Sequence, residues 1–334
     1  MVSIKDIAEL SGVSVSTVSR VINGKDCVSS DKRAKILQTV KSTGYVPNKA
    51  ARDMVMKQTF TVAIIIPDTF NMFQRQLFSD IEHHLEQFGY RTSFYFVAMS
   101  AQGEAACLHR LKGERLDGVI LLHEIEIPEF HEYLEKNRIP SVLATFEKEQ
   151  WKATSIHISE DEAASAAVNH LLELGHRDIA LIGGKKYSFG IQRRQGYENA
   201  LTKAGLDYDE NKVVLVESYS IRDGLEGMQE LLDRKVPFTA VFAITDELAL
   251  GAIRCLQDSG LSVPGNVSVV GFDDIEMSSY SLPRLTTIRQ PLMEMGQTSV
   301  ALLHSLIASK NHMNVNIALP FKFIERESTS RPKI

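Results

Sequence analysis

The sequence has few cysteines and no long apolar stretch. Its 334 residues include three cysteines, Cys27, Cys107 and Cys255, which lie far apart and form no C-x-x-C pair. We therefore expect free thiols rather than a disulfide framework or a zinc site. No apolar run approaches the roughly 18–20 residues of a membrane-spanning helix, and residues 1–6 contain no apolar signal core. The sequence predicts a cytoplasmic protein with no membrane partner.

Motifs of common enzyme classes are also missing from the sequence. No G-x-G-x-x-G or P-loop follows a predicted strand, and Gly183-Gly184-Lys185-Lys186 lacks the P-loop spacing, so we interpret it as a turn. The histidines do not have H-E-x-x-H spacing, and no G-x-S-x-G nucleophile motif occurs. We therefore expect neither an enzyme nor a bound metal or cofactor.

Positive charge is concentrated at one end of the chain. The formal net charge is -5, yet residues 1–58 carry ten basic and five acidic side chains, whereas the remainder carries 27 and 37. A small cationic segment precedes a large anionic one. Such a segment is typical of a nucleic-acid-binding module, because neutralising phosphates supplies most non-specific affinity. A basic surface without function is the alternative.

Helix start and stop residues organise this basic segment. Ser3 is a predicted N-cap of a first helix that ends at Gly12, and Ser14 is a predicted N-cap of a second helix over residues 15–22. Two short helices joined by a glycine-containing turn are typical of a helix-turn-helix. A third helix is expected from residue 29 or 30 to residue 42.

The second predicted helix carries polar groups that suit a major groove. Its N-terminal end has the hydroxyl residues Ser14, Ser16, Thr17 and Ser19, followed by Arg20. Hydroxyls bind phosphates or base edges, and an arginine can form a bidentate pair with guanine. The serines could alternatively serve only as caps and solvated positions.

Several motifs together resemble the lactose-repressor (LacI/GalR) family of bacterial transcription regulators. They are Ile4-Lys5-Asp6-Ile7-Ala8, residues 12–24 from Gly12-Val13-Ser14 to Ile22-Asn23-Gly24, Gly44-Tyr45-Val46-Pro47-Asn48 and Ala51-Arg52. The resemblance implies that Val15, Ser16 and Arg20 face bases. It makes Ser3, Ser14, Thr17, Ser19 and Asn23 candidates for contacts to the DNA backbone.

The same resemblance implies a hinge helix that orders on operator binding. The matching segment is residues 48–56, in which Asn48 and Arg52 are further candidates for DNA contacts and Met54 occupies the position of a minor-groove wedge. The family usually has leucine there, but methionine keeps an unbranched apolar shape. A linker methionine packed against the core is the alternative interpretation.

Apolar runs and helical patterns alternate through the rest of the chain. Predicted buried strands are residues 61–66, 117–122, 179–182, 240–243 and 267–270, and predicted helices include residues 77–88, 162–174, 194–204 and 248–259. The alternation predicts mostly parallel sheets with helical connections. The resemblance continues through Leu174-Gly175-His176, residues 246–252 and Gly271-Phe272-Asp273-Asp274 to residues 285–288. It implies a periplasmic-binding-protein-like core of two α/β lobes, with crossings near residues 155–159, 286–291 and 318–323.

Residues that follow the predicted strands are expected to line a cleft between the lobes, because ligands bind beyond the carboxyl ends of parallel strands. The matching effector-contacting candidates are Phe73, Gln74, Arg193, Tyr219, Asp273 and, as a weaker candidate that could instead cap its helix, Asp246. Arg193 and Asp273 could alternatively form a structural ion pair. Thr145 stands where the family often has an aspartate, and residues 156–161 lack the common Val-x-x-Asp-Asn pattern.

These observations together predict a dimeric transcription regulator whose heads bind a pseudo-palindromic operator under control of a sugar or sugar phosphate. Repression is the output that the resemblance implies. The predicted domains are the helix-turn-helix head (1–47), the hinge (48–59) and the core (60–334), with an N-lobe of about 60–157 and 289–319 and a C-lobe of about 158–288 and 320–334. A secreted sugar-binding protein with the same core is the alternative.

Overall fold

The computed structural model describes residues 2–22, 28–45, 58–68, 71–148, 151, 153–185, 187–309 and 314–333. The chain divides into two compact units, Met1–Phe60 and Thr61–Ile334, here called the head and the core. No helix among the described residues is long and apolar enough to cross a membrane. Of the cysteines, Cys107 and Cys255 are buried free thiols, and Cys27 lies outside the described residues.

Three helices form the described part of the head: α1 (Ile4–Ser11), α2 (Val15–Ile22) and α3 (Ser30–Thr43). Ser3 is the N-cap of α1, as predicted, and it forms a reciprocal capping box with Asp6. The helix ends at Gly12, whose left-handed φ of 67° suits glycine because it has no Cβ. The helices pack around a small apolar cluster, Ile7, Ala8, Val18, Val21, Ile36 and Tyr45.

The core alternates strands and helices along the chain. Its first elements are β1 (Thr61–Pro67), α4 (Met72–Gln87), β2 (Arg91–Val97), α5 (Ala101–Lys112), β3 (Gly118–Leu121), α6 (Pro128–Lys136), β4 (Ser141–Ala144) and β5 (Thr154–His157). The next are α7 (Glu160–Glu173), β6 (Ile179–Gly184), α8 (Ser188–Lys203), β7 (Val213–Val216), α9 (Ile221–Asp233), β8 (Ala240–Ala243), α10 (Asp246–Asp258) and β9 (Ser268–Val270). The last are β10 (Thr287–Arg289), α11 (Leu292–Ser309), β11 (Asn316–Ala318) and β12 (Lys322–Ile324).

These strands form two parallel sheets and one short antiparallel pair. The six-stranded sheet has the order β11-β5-β4-β3-β1-β2, and the four-stranded sheet has the order β7-β6-β8-β9. We call the first sheet and its helices the N-lobe, and the second sheet and its helices the C-lobe. In register, Ile65 of β1 pairs with Leu121 of β3, and Ile182 of β6 pairs with Ala243 of β8. The central strands are buried on both faces, which explains their continuous apolar sequences.

The chain passes between the lobes three times. It leaves the N-lobe sheet at β5 and enters α7, returns from β10 into α11, and passes from β11 to β12. The strands β10 and β12 pair antiparallel, and Ile288 is opposite Phe323. These passages fall within or next to the three segments that the sequence analysis named as crossings.

Several helices begin earlier than their apolar patterns indicated. Helix α4 starts at Met72 rather than near residue 77, because Asn71 and Gln74 form a capping box. Helix α8 starts at Ser188 rather than near residue 194. The interpretation of Gly183-Gly184-Lys185-Lys186 as a turn was wrong for its glycines, which are the last two residues of β6.

Candidate functional site

The exposed face of α2 carries the polar residues that the sequence analysis selected. Val18 and Val21 are buried in the head, whereas Val15, Ser16 and Arg20 are exposed. Ser16 and Arg20 are four residues apart and therefore lie on one face. The hydroxyl and guanidinium groups of this face can bond to base edges in a major groove.

The hydroxyl candidates cluster at the start of α2. Ser14 Oγ accepts a hydrogen bond from the Thr17 amide at 3.2 Å and lies 2.8 Å from both Ser16 Oγ and Thr17 Oγ1. Ser14 therefore caps the helix as predicted, while its exposure also leaves it accessible to a phosphate. Ser3 caps α1 and is exposed, and Ser19 is half-buried. The remaining DNA-contacting candidates, Asn23, Asn48, Arg52 and Met54, lie outside the described residues.

A cavity of about 320 Å³ lies between the two lobes. Its walls come from residues that follow β1 through β4 in the N-lobe, β6 through β9 in the C-lobe, and the crossing strands β5 and β10. Chain order reverses in both sheets, at β1 between β2 and β3 and at β6 between β7 and β8. The cavity thus occupies the position where parallel sheets bind ligands.

The cavity brings together five of the six candidates for effector contact. Phe73 and Gln74 line it from the first turn of α4, and Arg193, Tyr219 and Asp273 line it from the C-lobe. Thr145 and Phe146, which occupy the segment where this sequence departs from the family pattern, also line it.

Arg193 lines the cavity and is held in place by ionic and aromatic contacts. Its Nε donates to Glu160 at 2.7 Å, and its Nη1 donates to the Ile244 carbonyl at 2.6 Å and to Asp273 at 3.3 Å. The guanidinium also lies 3.6 Å from the ring centroid of Phe272. Burial disfavours the charged guanidinium, but the carboxylates of Glu160 and Asp273 raise the pKa of Arg193, so it remains charged.

Asp273 joins this network to the segment that crosses between the lobes. Its side chain accepts from Gln290 Nε2 at 2.8 Å, and Gln290 directly follows β10. Burial raises the pKa of Asp273, but the neighbouring guanidinium of Arg193 opposes that rise and stabilises the carboxylate. Asp273, Tyr187 and Thr145 all have positive φ values, 116°, 69° and 87°, although none is glycine. Backbone strain of this kind is concentrated at functional sites.

Asp246 does not line the cavity, so its assignment as an effector contact requires correction. The side chain is fully buried and accepts hydrogen bonds from the Ile275 amide at 2.9 Å, Ser278 Oγ at 2.6 Å and Thr287 Oγ1 at 2.5 Å. Burial raises the pKa of Asp246 to about 7, while these hydrogen bonds oppose the rise. The N-cap of α10 is Thr245, so Asp246 does not cap that helix either. Its contacts fix the loop after β9.

Aromatic rings form much of the C-lobe wall of the cavity. The rings of Tyr187 and Phe189 are parallel with centroids 5.9 Å apart, and Tyr219 is 5.2 Å from Phe189. Gly184 lets Tyr219 approach because a Cβ at that position would overlap the tyrosine ring. Phe73 and Phe146 face the cavity from the N-lobe. Such rings can stack on the apolar face of a sugar.

Two hydrogen bonds connect the lobes across the cavity. Glu124, which follows β3, accepts from the amide of Ser188 at the start of α8 at 3.0 Å. Glu247, near the start of α10, accepts from the amide of Met72 at the start of α4 at 3.4 Å. Each carboxylate therefore lies at the N-terminus of a helix in the opposite lobe, where free amides and the helix dipole favour negative charge. Burial raises the pKa of Glu247, while the hydrogen bond from the Met72 amide and the charge of Arg75 oppose that rise.

Sequence reasoning missed several residues of the cavity wall. Glu124, Glu160 and Glu247 reach it only because loops from different lobes meet there. Gln290 lies inside the predicted second crossing, residues 286–291, but the sequence did not predict that its side chain lines the cavity. His123 Nε2 lies 3.5 Å from the buried carboxylate of Glu104, and no short sequence motif indicates this pair.

In the described part of the chain, no group of three or more histidine, cysteine, aspartate or glutamate residues is arranged to hold a metal ion. Carboxylates, a guanidinium and aromatic rings around a cavity can instead bind a polyhydroxylated molecule.

Comparisons with known proteins cover both units of the chain. Residues 3–48 match bacterial regulatory proteins of the lacI family, and residues 168–329 match the periplasmic binding protein-like domain. Catabolite control protein A of Priestia megaterium is 33% identical over 330 residues, covering 98% of this chain and 99% of the relative. A lac repressor dimer bound to operator and the anti-inducer ONPF is 30% identical with a TM-score of 0.87, covering 98% of this chain and 99% of that chain. The transcriptional regulator CelR in a complex with cellobiose is 31% identical with a TM-score of 0.75, covering 98% and 100%.

A helix-turn-helix head joined to a periplasmic-binding-protein-like core defines a DNA-binding transcriptional regulator with a ligand-binding core. This chain belongs to the lacI family of bacterial regulatory proteins. The predicted family, fold class and regulatory function are therefore confirmed. The similar proteins reported above are transcriptional regulators rather than enzymes. The match of residues 3–48 also removes the case for a secreted binding protein without DNA binding.

Proposed function

We propose that this protein is a homodimeric repressor whose paired heads bind a pseudo-palindromic operator and whose operator affinity is controlled by a sugar in the interlobe cavity. Because it would bind chromosomal DNA, it would act in the bacterial cytoplasm, and its role is regulatory rather than catalytic. The similar lac repressor structure is a dimer on operator, and the CelR structure holds cellobiose. The observation that carries the proposal is the exposed polar face of α2 in a chain that also contains an aromatic, polar cavity.

For DNA contacts, we assign the exposed face of α2 to the bases. Val15, Ser16 and Arg20 are exposed there, and an arginine–guanine pair contributes about 1–3 kcal/mol of discrimination. We assign contacts to the DNA backbone to the N-capping serines and the neighbouring polar residues, Ser3, Ser14, Thr17, Ser19 and Asn23. We assign further DNA contacts to the hinge residues Asn48, Arg52 and Met54.

For effector contacts, we assign the five predicted residues that line the cavity: Phe73, Gln74, Arg193, Tyr219 and Asp273. Arg193 and Asp273 are ion-paired to each other, and this structural role is compatible with contacts to ligand hydroxyls. The rings of Phe73 and Tyr219 lie on opposite lobes, so a ligand between them makes contacts that depend on lobe closure. Differential contacts of this kind allow a ligand to shift a conformational equilibrium.

The DNA-binding proposal is tested by selecting sites from a random duplex library with the full-length protein. We expect an inverted repeat, because a two-fold dimer presents two equivalent α2 helices. Arg20→Gln should relax the preference at one position in each half-site. Lys41→Gln, which removes the same charge from the last turn of α3, is the matched control and should weaken all sites equally.

Loss of sequence preference in the Lys41→Gln control, or its retention in Arg20→Gln, would contradict the assignment of α2 to the bases. Selection of sites without two-fold symmetry would contradict the dimeric mode of binding.

A further inference from the structure

The effector cavity has an excess of negative charge. Glu124, Glu160, Glu247 and Asp273 line it, and Arg193 is the sole lysine or arginine among the described residues of its wall. Because Arg193 contacts both Glu160 and Asp273, its charge is already compensated by two carboxylates. The described wall therefore offers no uncompensated cation to bind a phosphate group. The carboxylates would instead repel the phosphate, because like charges interact strongly in an enclosed site.

The N-termini of α4 and α8 at the cavity are already occupied by carboxylates. Anions commonly bind to the free amides at such termini. Here the amide of Ser188 at the start of α8 is bound by Glu124, and the amide of Met72 at the start of α4 is bound by Glu247. A phosphate could occupy either position only by displacing a carboxylate and breaking the contact between the lobes.

Carboxylates also lie near the phenol of Tyr187, which lines the cavity. Burial of the phenol and the nearby carboxylates of Glu126, Glu104, Asp68 and Glu124 raise the pKa of Tyr187 to about 12. The same carboxylates that disfavour a phenolate at this wall disfavour a phosphate beside it.

Gln290 offers an unused acceptor to a neutral ligand. Its Nε2 donates to Asp273 at 2.8 Å, and this bond fixes the orientation of the amide. Its Oε1 is buried and has no hydrogen-bond partner among the described residues. Gln290 is 4% exposed and lines the cavity. Buried polar atoms are almost always paired in native proteins, so a ligand hydroxyl is a chemically suitable partner for this oxygen.

We propose that the cavity binds an uncharged, polyhydroxylated sugar and excludes phosphorylated sugars, with Gln290 Oε1 accepting a hydrogen bond from a ligand hydroxyl. The aromatic rings of Tyr187, Phe189 and Tyr219 supply the surface on which the sugar ring stacks. This inference rests on the proposed function because it specifies the effector class of the same cavity.

The first test compares neutral sugars with their phosphate esters on the full-length protein. The probes are cellobiose, glucose and ribose, each paired with its phosphate ester, and binding is measured by calorimetry and thermal shift. We expect at least one neutral sugar to bind and its ester to bind at least tenfold more weakly. An ester that binds as tightly as its parent would overturn the exclusion of phosphates. Absence of binding by all three neutral sugars would overturn the ligand class.

Operator binding is measured on the same preparations, so failure of this inference is distinguishable from failure of the proposed function. A protein that binds its selected operator but no neutral sugar retains the DNA-binding function and loses the neutral-sugar assignment. A protein that binds a neutral sugar but no operator contradicts the proposed function instead.

A charge variant tests the cause of the exclusion. Glu247→Gln keeps an oxygen for the Met72 amide while removing one negative charge from the wall. We expect it to reduce the ratio of the two dissociation constants, that of the phosphate ester over that of its parent sugar, by at least threefold. Glu226→Gln, at an exposed position of α9 outside the cavity, is the matched control and should leave the ratio unchanged. An unchanged ratio in Glu247→Gln would contradict the electrostatic argument.

The role of Gln290 is tested with single-deoxy derivatives of the best-bound neutral sugar. One derivative should bind wild type at least tenfold more weakly than the parent sugar, because it lacks the hydroxyl that Gln290 binds. In Gln290→Met the parent and that derivative should bind equally. A purely structural role would weaken both sugars without removing their difference, and that result would overturn the contact.

Discussion

Replacement of Arg193 by methionine gives a quantitative test of the ionic network under the cavity. The substitution keeps an unbranched apolar stem but removes the guanidinium that contacts Glu160, Asp273 and the Ile244 carbonyl. Both carboxylates would then remain in the interior without a cation, since Glu160 and Asp273 are 4% and 5% exposed. Removing one partner from a buried ion pair costs about 3–5 kcal/mol.

This cost is large enough to measure directly. For a domain of this size, a change of 1 kcal/mol shifts the melting temperature by about 2–4 °C, so Arg193→Met should lower it by on the order of 10 °C. Urea denaturation followed by circular dichroism supplies the free energy of unfolding. The triple variant Arg193→Met, Glu160→Gln, Asp273→Asn should recover most of the loss, because neutral groups then replace the whole network.

A matched surface variant controls for removal of an arginine. Arg254 and Asp258 form an ion pair at 2.8 Å on α10, but their side chains are 66% and 54% exposed. Arg254→Met should therefore change the free energy of unfolding by no more than about 1 kcal/mol. The reasoning would be refuted if Arg193→Met were no more costly than Arg254→Met, or if the triple variant were less stable than the single variant.

Three further changes have distinct expected outcomes. Asp246→Asn should lower the free energy of unfolding by about 1–3 kcal/mol, since at least one buried donor loses its acceptor, and calorimetry should find sugar affinity unchanged because Asp246 does not line the cavity. Burial lowers the pKa of His176, so the stabilisation from its neutral form is present above pH 6.5 and is lost as the pH falls below that value. In thermal melts, His176→Gln should weaken this pH dependence of stability, whereas the exposed control His109→Gln should leave it unchanged. Met54→Lys should weaken specific operator binding in a gel-shift assay without changing the melting temperature of the core, and unchanged operator affinity would remove the wedge assignment.

Local chemistry made the head and the central strands predictable. Ser3 and Ser14 cap their helices through contacts within three residues, and Gly12 ends α1 through its own backbone conformation. Strands such as β1 and β8 are buried on both faces and therefore show continuous apolar sequences. Strand β2 lies at the edge of its sheet with Phe94 and Phe96 about half exposed, so no continuous apolar run indicated it.

The cavity could be predicted only in part because its wall is assembled from both lobes. Phe73 and Tyr219 follow strands, and that position identified them. The contacts of Glu124 and Glu247 join residues that are 64 and 175 positions apart, so their roles depend on the fold. Asp246 occupies a similar sequence position to true wall residues, but its side chain turns toward Ser278 and Thr287 instead of the cavity.

The most direct test of ligand-controlled regulation is the affinity of the full-length protein for its selected operator, measured with and without a saturating neutral sugar that binds the core. We predict a change of about 5–150-fold, with the operator changing the affinity for the sugar by the same factor, because coupling between two sites is reciprocal. An operator affinity that is the same within twofold at saturating sugar would contradict the account.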